Sequence, residues 1–385
     1  MKVFNIGIIG YGGFGKFLFN AWNQLDNVKV TAIADTNAAA MTGTDTIKFF
    51  VDWREMILSD NIDLVAIVTE PSTHKEIAEA CMRAGKHVLI EKPLAISTSD
   101  AADIIKIRNQ TGVEAAINFI MRFNPLLQAI QSLTKEGVFG KLRRVDVENY
   151  AQDEQLPPEH WFWHHDRSGG ILIEHAVHFI DLVHFIAPSK HVRVNGLKHN
   201  RNELQEDQIM ANVLYESGLI ATHYHSFARP GFFETTDIKL AYDIADVRLH
   251  GWIPLTAEIK LLVNEKTKKI LLSSPLFECF SIEPIEGATD ESRPAGWGTS
   301  EIGTSKVKHF VRSGGVMYET NEIVTGRLRL GQSKQEVYVN CVKSSLLDVL
   351  HKISDPSHIL HASLESGLSS LEIAELATIS ARNNS

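Results

Sequence analysis

Ile6-Gly7-Ile8-Ile9-Gly10-Tyr11-Gly12-Gly13-Phe14-Gly15 is the stretch that decides the fold of this chain. An apolar run from Val3 to Ile9 enters a G-x-G-x-x-G turn at Gly10, Gly12 and Gly15. A helix-like stretch follows, and a second apolar run, Val28 to Ala34, ends on Asp35. The order is strand, glycine turn, helix and a strand closing on an acid about 20 residues past the last glycine, which is the layout of a dinucleotide pocket. Gly10 allows the tight turn, Gly12 leaves room for a pyrophosphate and Gly15 lets the helix pack close to the strand. Tyr11, Gly13 and Phe14 complete the loop, and the helix begins with its free N–H groups aimed at the phosphates. Asp35 falls where a carboxylate meets ribose hydroxyls and would repel a 2′-phosphate, so NAD is expected over NADP.

From this unit the alternation continues to about residue 123. Leu64–Thr69, His87–Ile90 and Glu114–Asn118 read as further strands, with helices near Gly15–Leu25, Trp53–Leu58, Lys75–Ala84 and Thr98–Gln110. Such alternation predicts an N-terminal Rossmann domain, residues 1–123, with a doubly wound parallel sheet and its ligand site at the carboxyl ends of the strands. The turns at Gly10, Asp35, Thr69-Glu70-Pro71 and Glu91-Lys92-Pro93 then share one crevice.

After Pro125 the texture changes. A helix near Leu126–Lys135 leads to a strand, Leu142–Tyr150, then to a loop dense in aromatics and histidines and a helix from Ile171 to Ile186. Ile209–Tyr215, Leu219–Phe227, Thr236–Tyr242 and Ala245–His250 read as strands, the first two joined by a hairpin at Glu216-Ser217-Gly218. Residues 284–304 read as a surface excursion, and helices near Gln335–Ile353 and Leu364–Ala381 finish the chain. Residues 124–385 are thus expected to form an α+β domain with a large, mostly antiparallel sheet.

Composition narrows the class. The 385 residues are 44% apolar and 22% charged, with a net charge of −9. This is ordinary for a folded enzyme and unsuited to non-specific nucleic-acid binding. Three scattered cysteines, Cys81, Cys279 and Cys341, suggest a reducing compartment. With no leader pattern and no run approaching the ~20 apolar residues of a membrane span, a cytoplasmic protein is expected.

Ala84-Gly85-Lys86-His87-Val88-Leu89-Ile90-Glu91-Lys92-Pro93-Leu94-Ala95 resembles the E-K-P signature of the Gfo/Idh/MocA oxidoreductases, which include glucose-fructose oxidoreductase and inositol dehydrogenases. Thr69-Glu70-Pro71-Ser72-Thr73-His74 is similar to that family's T-x-P-x-x-H segment. Asn118 with Arg122-Phe123-Asn124-Pro125 is similar to its N-x-x-x-R-F-x-P link, and Gly169-Gly170 through Asp181 to its G-G-x-x-x-D-x-x-x-H-x-x-D helix. The resemblance runs in motif detail to about residue 186. It implies cofactor contacts at Thr69, Pro71, His74, Glu91, Lys92, Asn118 and Arg122, a sugar, inositol or related polyol substrate, and a homo-oligomer, dimer or tetramer, paired through the second domain's sheet. Reduction of a dihydrodiol or biliverdin-like compound is the alternative activity, and a non-catalytic dinucleotide-binding regulator the alternative class.

The chemistry concentrates on Lys92, Glu174 and His178. An ammonium at the mouth of a nicotinamide crevice can stabilise an alkoxide as hydride leaves carbon, and a near-neutral imidazole can take the hydroxyl proton. Glu174 and His178 are spaced i, i+4, so in a helix they share one face a turn apart, and the carboxylate can orient either the imidazole or the Lys92 ammonium. Glu174 replaces the family's usual Asp and reaches one methylene further. The segment His160-Trp161-Phe162-Trp163-His164-His165-Asp166-Arg167 supplies groups that stack on and hydrogen-bond to a sugar, so Trp161, Trp163, His164 and Asp166, with Tyr150, are substrate-side candidates. Zinc at His160, His164, His165, His175 and His178 is set aside, because the spacing matches no closed site and no cysteine accompanies it. No metal is therefore assigned.

Overall fold

Short apolar runs build the first sheet. In the computed structural model, which describes residues 2–37, 47–154, 156–285 and 310–383, the chain starts with β1 (Phe4–Ile9), α1 (Gly13–Trp22), β2 (Val28–Ala34) and β3 (Lys48–Phe50). It continues through α2 (Trp53–Ile57), β4 (Leu64–Ile67), α3 (His74–Arg83), β5 (His87–Ile90), α4 (Thr98–Thr111) and β6 (Ala115–Ile117). These strands form a parallel sheet in the order β3-β2-β1-β4-β5-β6. Every residue of β4 is buried, because helices cover both faces of such a sheet. The order reverses between β1 and β4, which opens a crevice at their carboxyl ends.

Asn124 marks the crossing into the second body. Its side chain accepts the N–H of Leu126 at 2.9 Å, capping α5 (Pro125–Lys135), and its Nδ2 donates to the Pro254 carbonyl at 3.0 Å. β7 (Leu142–Tyr150), a short α6 (His165–Ser168) and α7 (Val177–Ile186) follow. Then come β8 (His191–Asn200), β9 (Glu206–Tyr215), β10 (Ile220–Ser226), β11 (Thr235–Tyr242), β12 (Ala245–His250) and β13 (Thr256–Val263). The chain closes with α8 (Glu265–Ser273), β14 (Phe277–Pro284), the hairpin β15 (Phe310–Ser313) and β16 (Val316–Glu319), β17 (Glu322–Arg329), α9 (Lys334–Ser354) and α10 (Leu364–Asn383). Nine strands make one sheet, β14-β17-β13-β12-β11-β7-β10-β9-β8, antiparallel except where β7 meets β10. One face carries alternate apolar residues onto the helices, as Ile209, Ala211 and Val213 do along β9.

The last helices return to the first sheet. Trp22 Nε1 donates to the Val342 carbonyl at 3.0 Å, Thr98 Oγ1 to Glu375 at 2.5 Å, and Ile117 N–H to the Ala362 carbonyl at 3.3 Å. Residues 334–383 therefore pack on both bodies, although they follow the second in sequence. The stretch His165–Ile186 is long and apolar enough by composition to cross a membrane, contrary to the sequence reading. Its burial inside the fold, 83% of the apolar window, accounts for that apolarity. The hairpin expected at Glu216-Ser217-Gly218 is present, with Gly218 at φ +81°. The excursion expected at 284–304 lies, beyond residue 285, outside the described residues.

Candidate active site

The glycine turn separates steric need from open space. Gly10 has φ +94°, and a Cβ there would lie 2.4 Å from the Val68 carbonyl oxygen; one at Gly15 would lie 2.2 Å from the Gly10 carbonyl oxygen. Packing forbids a side chain at both. At Gly12 a Cβ would meet nothing within 4 Å, so the space beside it suits a ligand rather than a neighbouring chain. No side chain caps α1, whose first N–H groups face that space with the positive end of the helix dipole. Asp35, at the end of β2, accepts the backbone N–H of Tyr11 at 2.6 Å and that of Asn37 at 2.7 Å, which fixes its carboxylate at the rim of the turn. These residues fit the pyrophosphate and ribose of a dinucleotide.

Further along the strand ends lies a cavity of about 310 Å³, walled by both bodies. The first body contributes Phe14, Val68, Thr69, Pro71, Glu91, Lys92, Asn118 and Ile120; the second contributes Trp161, Glu174, His175, His178 and Trp252, and α9 adds Tyr338. Lys92, which precedes a cis proline, sends Nζ across the crevice to Glu174. It donates to Oε1 at 2.5 Å and to the Glu174 carbonyl at 2.7 Å. An ammonium has three protons, so one remains for a ligand in the cavity.

Electrostatics follow from burial. Desolvation raises the Glu91 carboxyl to about 7, although Asn118 Nδ2 donates to one of its oxygens. Desolvation would likewise raise Glu174, but the Lys92 ammonium and neighbouring histidines outweigh it and hold the carboxyl below its ordinary range. Burial, reinforced by the Lys92 charge and by His175, drives the His178 imidazole well below 6.5, and His175 falls to about 4 mainly through desolvation. Both rings are therefore neutral at neutral pH. His175 Nε2 pairs with Asn149 Oδ1 at 2.8 Å, whereas His178 Nδ1 is buried without a hydrogen-bond partner.

The helix carrying these groups is not regular. Leu172–Ala176 form a π turn ahead of α7, and this wider turn lets the consecutive residues Glu174 and His175 reach the cavity along with His178. Of the two partners open to Glu174, the imidazole is not the one it takes. Glu174 binds Lys92 instead, and the His178 ring is set by Phe119 and Trp252, with centroids at 6.1 and 5.9 Å.

Several residues expected at the site have other places. His74 is fully buried, its ring nitrogens at 2.8 Å from the Pro93 carbonyl and 3.1 Å from that of Thr69, so it pins two turns together without reaching the cavity. Arg122 is committed to Asp181, with Nε and Nη2 donating to its two oxygens at 2.8 and 2.6 Å, and Nη1 donates to the His361 carbonyl at 2.6 Å. Trp163 is a core residue, packed on Phe227 with its indole N–H on the Leu156 carbonyl at 3.0 Å. Tyr150 lies against Tyr224 and under Arg229. His164 opens α6, Asp166 is exposed on it, and neither lines the cavity. The Tyr11 ring packs edge-on against Phe19, so only its backbone faces Asp35. Trp252 and Tyr338 went unrecognised in the sequence. They stack edge to face, centroids 5.2 Å apart, and one sits in an ordinary turn while the other is an aromatic on an amphipathic helix.

Comparison with known proteins agrees with this geometry. Residues 4–119 match a family model described as the Gfo/Idh/MocA oxidoreductase family, NAD-binding Rossmann fold, and residues 127–240 match the Gfo/Idh/MocA C-terminal domain. The 1,5-anhydro-D-fructose reductase of Ensifer adhaerens is 29% identical over 50% of this chain and 59% of its own. The inositol 2-dehydrogenase/D-chiro-inositol 3-dehydrogenase of Lactiplantibacillus plantarum is 28% identical over 54% and 61%. The chain thus spans about three fifths of these relatives' lengths. A levoglucosan dehydrogenase solved with NADH superposes over 100% of this chain and 98% of its own, with a TM-score of 0.75 and 16% identity, which is a likeness of fold.

Proposed function

Because the chain belongs to the Gfo/Idh/MocA oxidoreductase family, we propose that it transfers hydride between NAD and a secondary hydroxyl, or the matching ketone, of a sugar, inositol or related polyol. The observation that carries this reading is the Lys92 ammonium, held by Glu174 with a donor to spare inside a cavity that also presents a neutral His178. Bound NAD would supply the hydride acceptor. Lys92 donates to the reacting oxygen and stabilises its negative charge as the carbon is oxidised. His178, neutral and facing the cavity, accepts the hydroxyl proton, and in the reverse direction returns it. Trp161, Trp252 and Tyr338 offer faces to the C–H side of a sugar ring and narrow the path for water.

Asp35 supports NAD over NADP, since a 2′-phosphate at the end of β2 would meet its carboxylate. Association of copies through the outer face of the nine-stranded sheet is supported by apolar residues in adjacent register, with exposed Leu214 opposite exposed Ile220 and exposed Leu197 opposite half-buried Met210. The test of function is a panel of sugars and inositols with each cofactor, followed by the absorbance of reduced nicotinamide. Turnover with a polyol that Lys92→Met abolishes supports the assignment. Tight NAD binding without turnover of any of them would indicate a sensor instead.

A further inference from the structure

Away from the cavity, the turn joining α9 to α10 gathers Asp348, His358 and His361. Oδ1 of Asp348 lies 2.7 Å from Nε2 of His358 and 2.7 Å from Nδ1 of His361. The three atoms all lie within 4.8 Å of one another, and no other His, Cys, Asp or Glu trio converges this closely among the described residues. We propose that Asp348, His358 and His361 bind one borderline divalent cation of the zinc class, which clasps the α9–α10 connection. The histidine loop at 160–178 takes no part in it.

The donor set selects the ion. Two imidazole nitrogens and one carboxylate oxygen suit zinc, whereas magnesium and calcium call for oxygen throughout. Tetrahedral ligands at about 2.0–2.1 Å from zinc stand roughly 3.3 Å apart, so each ring nitrogen has to move away from the carboxylate oxygen by about half an ångström, and the two nitrogens, within 4.8 Å of one another, have to turn onto one centre. Without the ion, both rings donate an N–H to the same oxygen. With it, the cation replaces those two protons at the centre, and each neutral ring carries its proton on the outer nitrogen.

The surroundings are already organised. The Asp348 side chain is only 4% exposed, and its other oxygen accepts the His361 backbone N–H at 2.8 Å, which fixes the carboxylate plane in the way that orienting bonds do at metal sites. His351 stacks on His358 with centroids 4.1 Å apart and 19° between planes. The turn below is tied by the Asp355 carboxylate, which accepts from the Ser357 N–H and hydroxyl at 2.9 and 2.6 Å. The His361 side chain is half exposed, leaving a side open for entry of the ion and for a water as fourth ligand. An ion here would act on structure. The carbonyls of His361 and Ala362 accept from Arg122 and Ile117, so fixing this turn fixes α9, and with it Tyr338, against the first sheet.

The experiment titrates Zn²⁺ into the full chain, prepared without a histidine tag and stripped by chelator, by calorimetry, with Co²⁺ absorption as a readout of coordination. One Zn²⁺ per chain, a raised melting temperature and a four-coordinate Co²⁺ spectrum are expected. His358→Gln with His361→Gln should weaken binding by more than the roughly 10–100-fold that a supporting residue of a metal site is worth. His361→Gln alone, at the half-exposed position, keeps the comparison readable if the double variant does not fold. Absence of stoichiometric uptake, or uptake that these variants leave unchanged, overturns the proposal.

Discussion

Nζ of Lys92 lies 2.5 Å from Oε1 of Glu174 and 2.7 Å from that residue's carbonyl oxygen, joining two elements 82 residues apart across the crevice. Both side chains are mostly buried, 17% and 13% exposed, so the pair is held by geometry as well as charge. Lys92→Met should lower turnover roughly 100-fold to 1,000-fold, the usual worth of one donor that stabilises a developing oxyanion, with little change in NAD affinity. Glu174→Asp withdraws the carboxylate by one methylene and should reduce kcat by a smaller factor. Steady-state kinetics beside cofactor titration checks both, and a Lys92 variant that loses NAD instead of turnover contradicts the assigned role.

Gly10 and Gly12 should respond oppositely to the same substitution. Gly10→Ala forces a Cβ against the Val68 carbonyl at positive φ and should destabilise the fold by more than about 2 kcal/mol. Gly12→Ala, with φ −70° and no neighbour within 4 Å, should change stability by less than about 0.5 kcal/mol while weakening dinucleotide binding. Thermal melting and NAD titration on the two variants separate these effects.

Arg122→Ala should act on stability. Asp181 is 1% exposed, and losing its bidentate partner leaves a buried charge without compensation, worth about 3–5 kcal/mol. Denaturant unfolding should show the loss, and the protein that remains folded should bind NAD as before. A selective loss of cofactor affinity would restore Arg122 to the binding site.

Acid should unfold this protein through its histidines. Burial holds His175 and His184 down at about 4 and His223 at about 3, against an ordinary 6.5. Between those values the unfolded chain binds more protons, so this stability is present above about pH 6.5 and drains away as pH falls towards 4. Glu91, raised to about 7 by burial, works the other way between 4.5 and 7, since there the folded chain holds the extra proton. Burial raises Asp181 and Glu206 as well, but it also holds His178 and His225 well below 6.5, so the depressed histidines outnumber the raised carboxyls and the melting temperature climbs from pH 4 to 6.5. His223 has no partner at either ring nitrogen, so His223→Leu should flatten the climb without loss of stability at neutral pH. An unchanged slope would show that His223 titrates normally.

Much of the architecture is legible residue by residue. β2, β5, β7 and β12 occupy the spans their apolar runs predict, and α4 and α5 extend the expected helices by one residue, because alternation, Pro125 and the flanking turns are local signals. β3 and β17 went unread, the first being three residues long and the second following β16 after only Thr320 and Asn321. The π turn at Leu172–Ala176 has no local signature, and it redirects Glu174.

From sequence alone came the dinucleotide turn, its acid, the alternating first sheet and the presence of Lys92, Glu174 and His178 near one crevice. The turn, its acid and the sheet depend on the steric or periodic demands of a few consecutive residues, and the grouping of Lys92, Glu174 and His178 rests on the family resemblance of the segments that carry them. The tertiary structure decided the partners. Glu174 serves Lys92 rather than His178, Arg122 serves Asp181, and Trp252 and Tyr338 close a cavity from elements 86 residues apart. Such pairings are set by the packing of whole helices and sheets, whose free energy is spread over many weak contacts that no short stretch of sequence encodes.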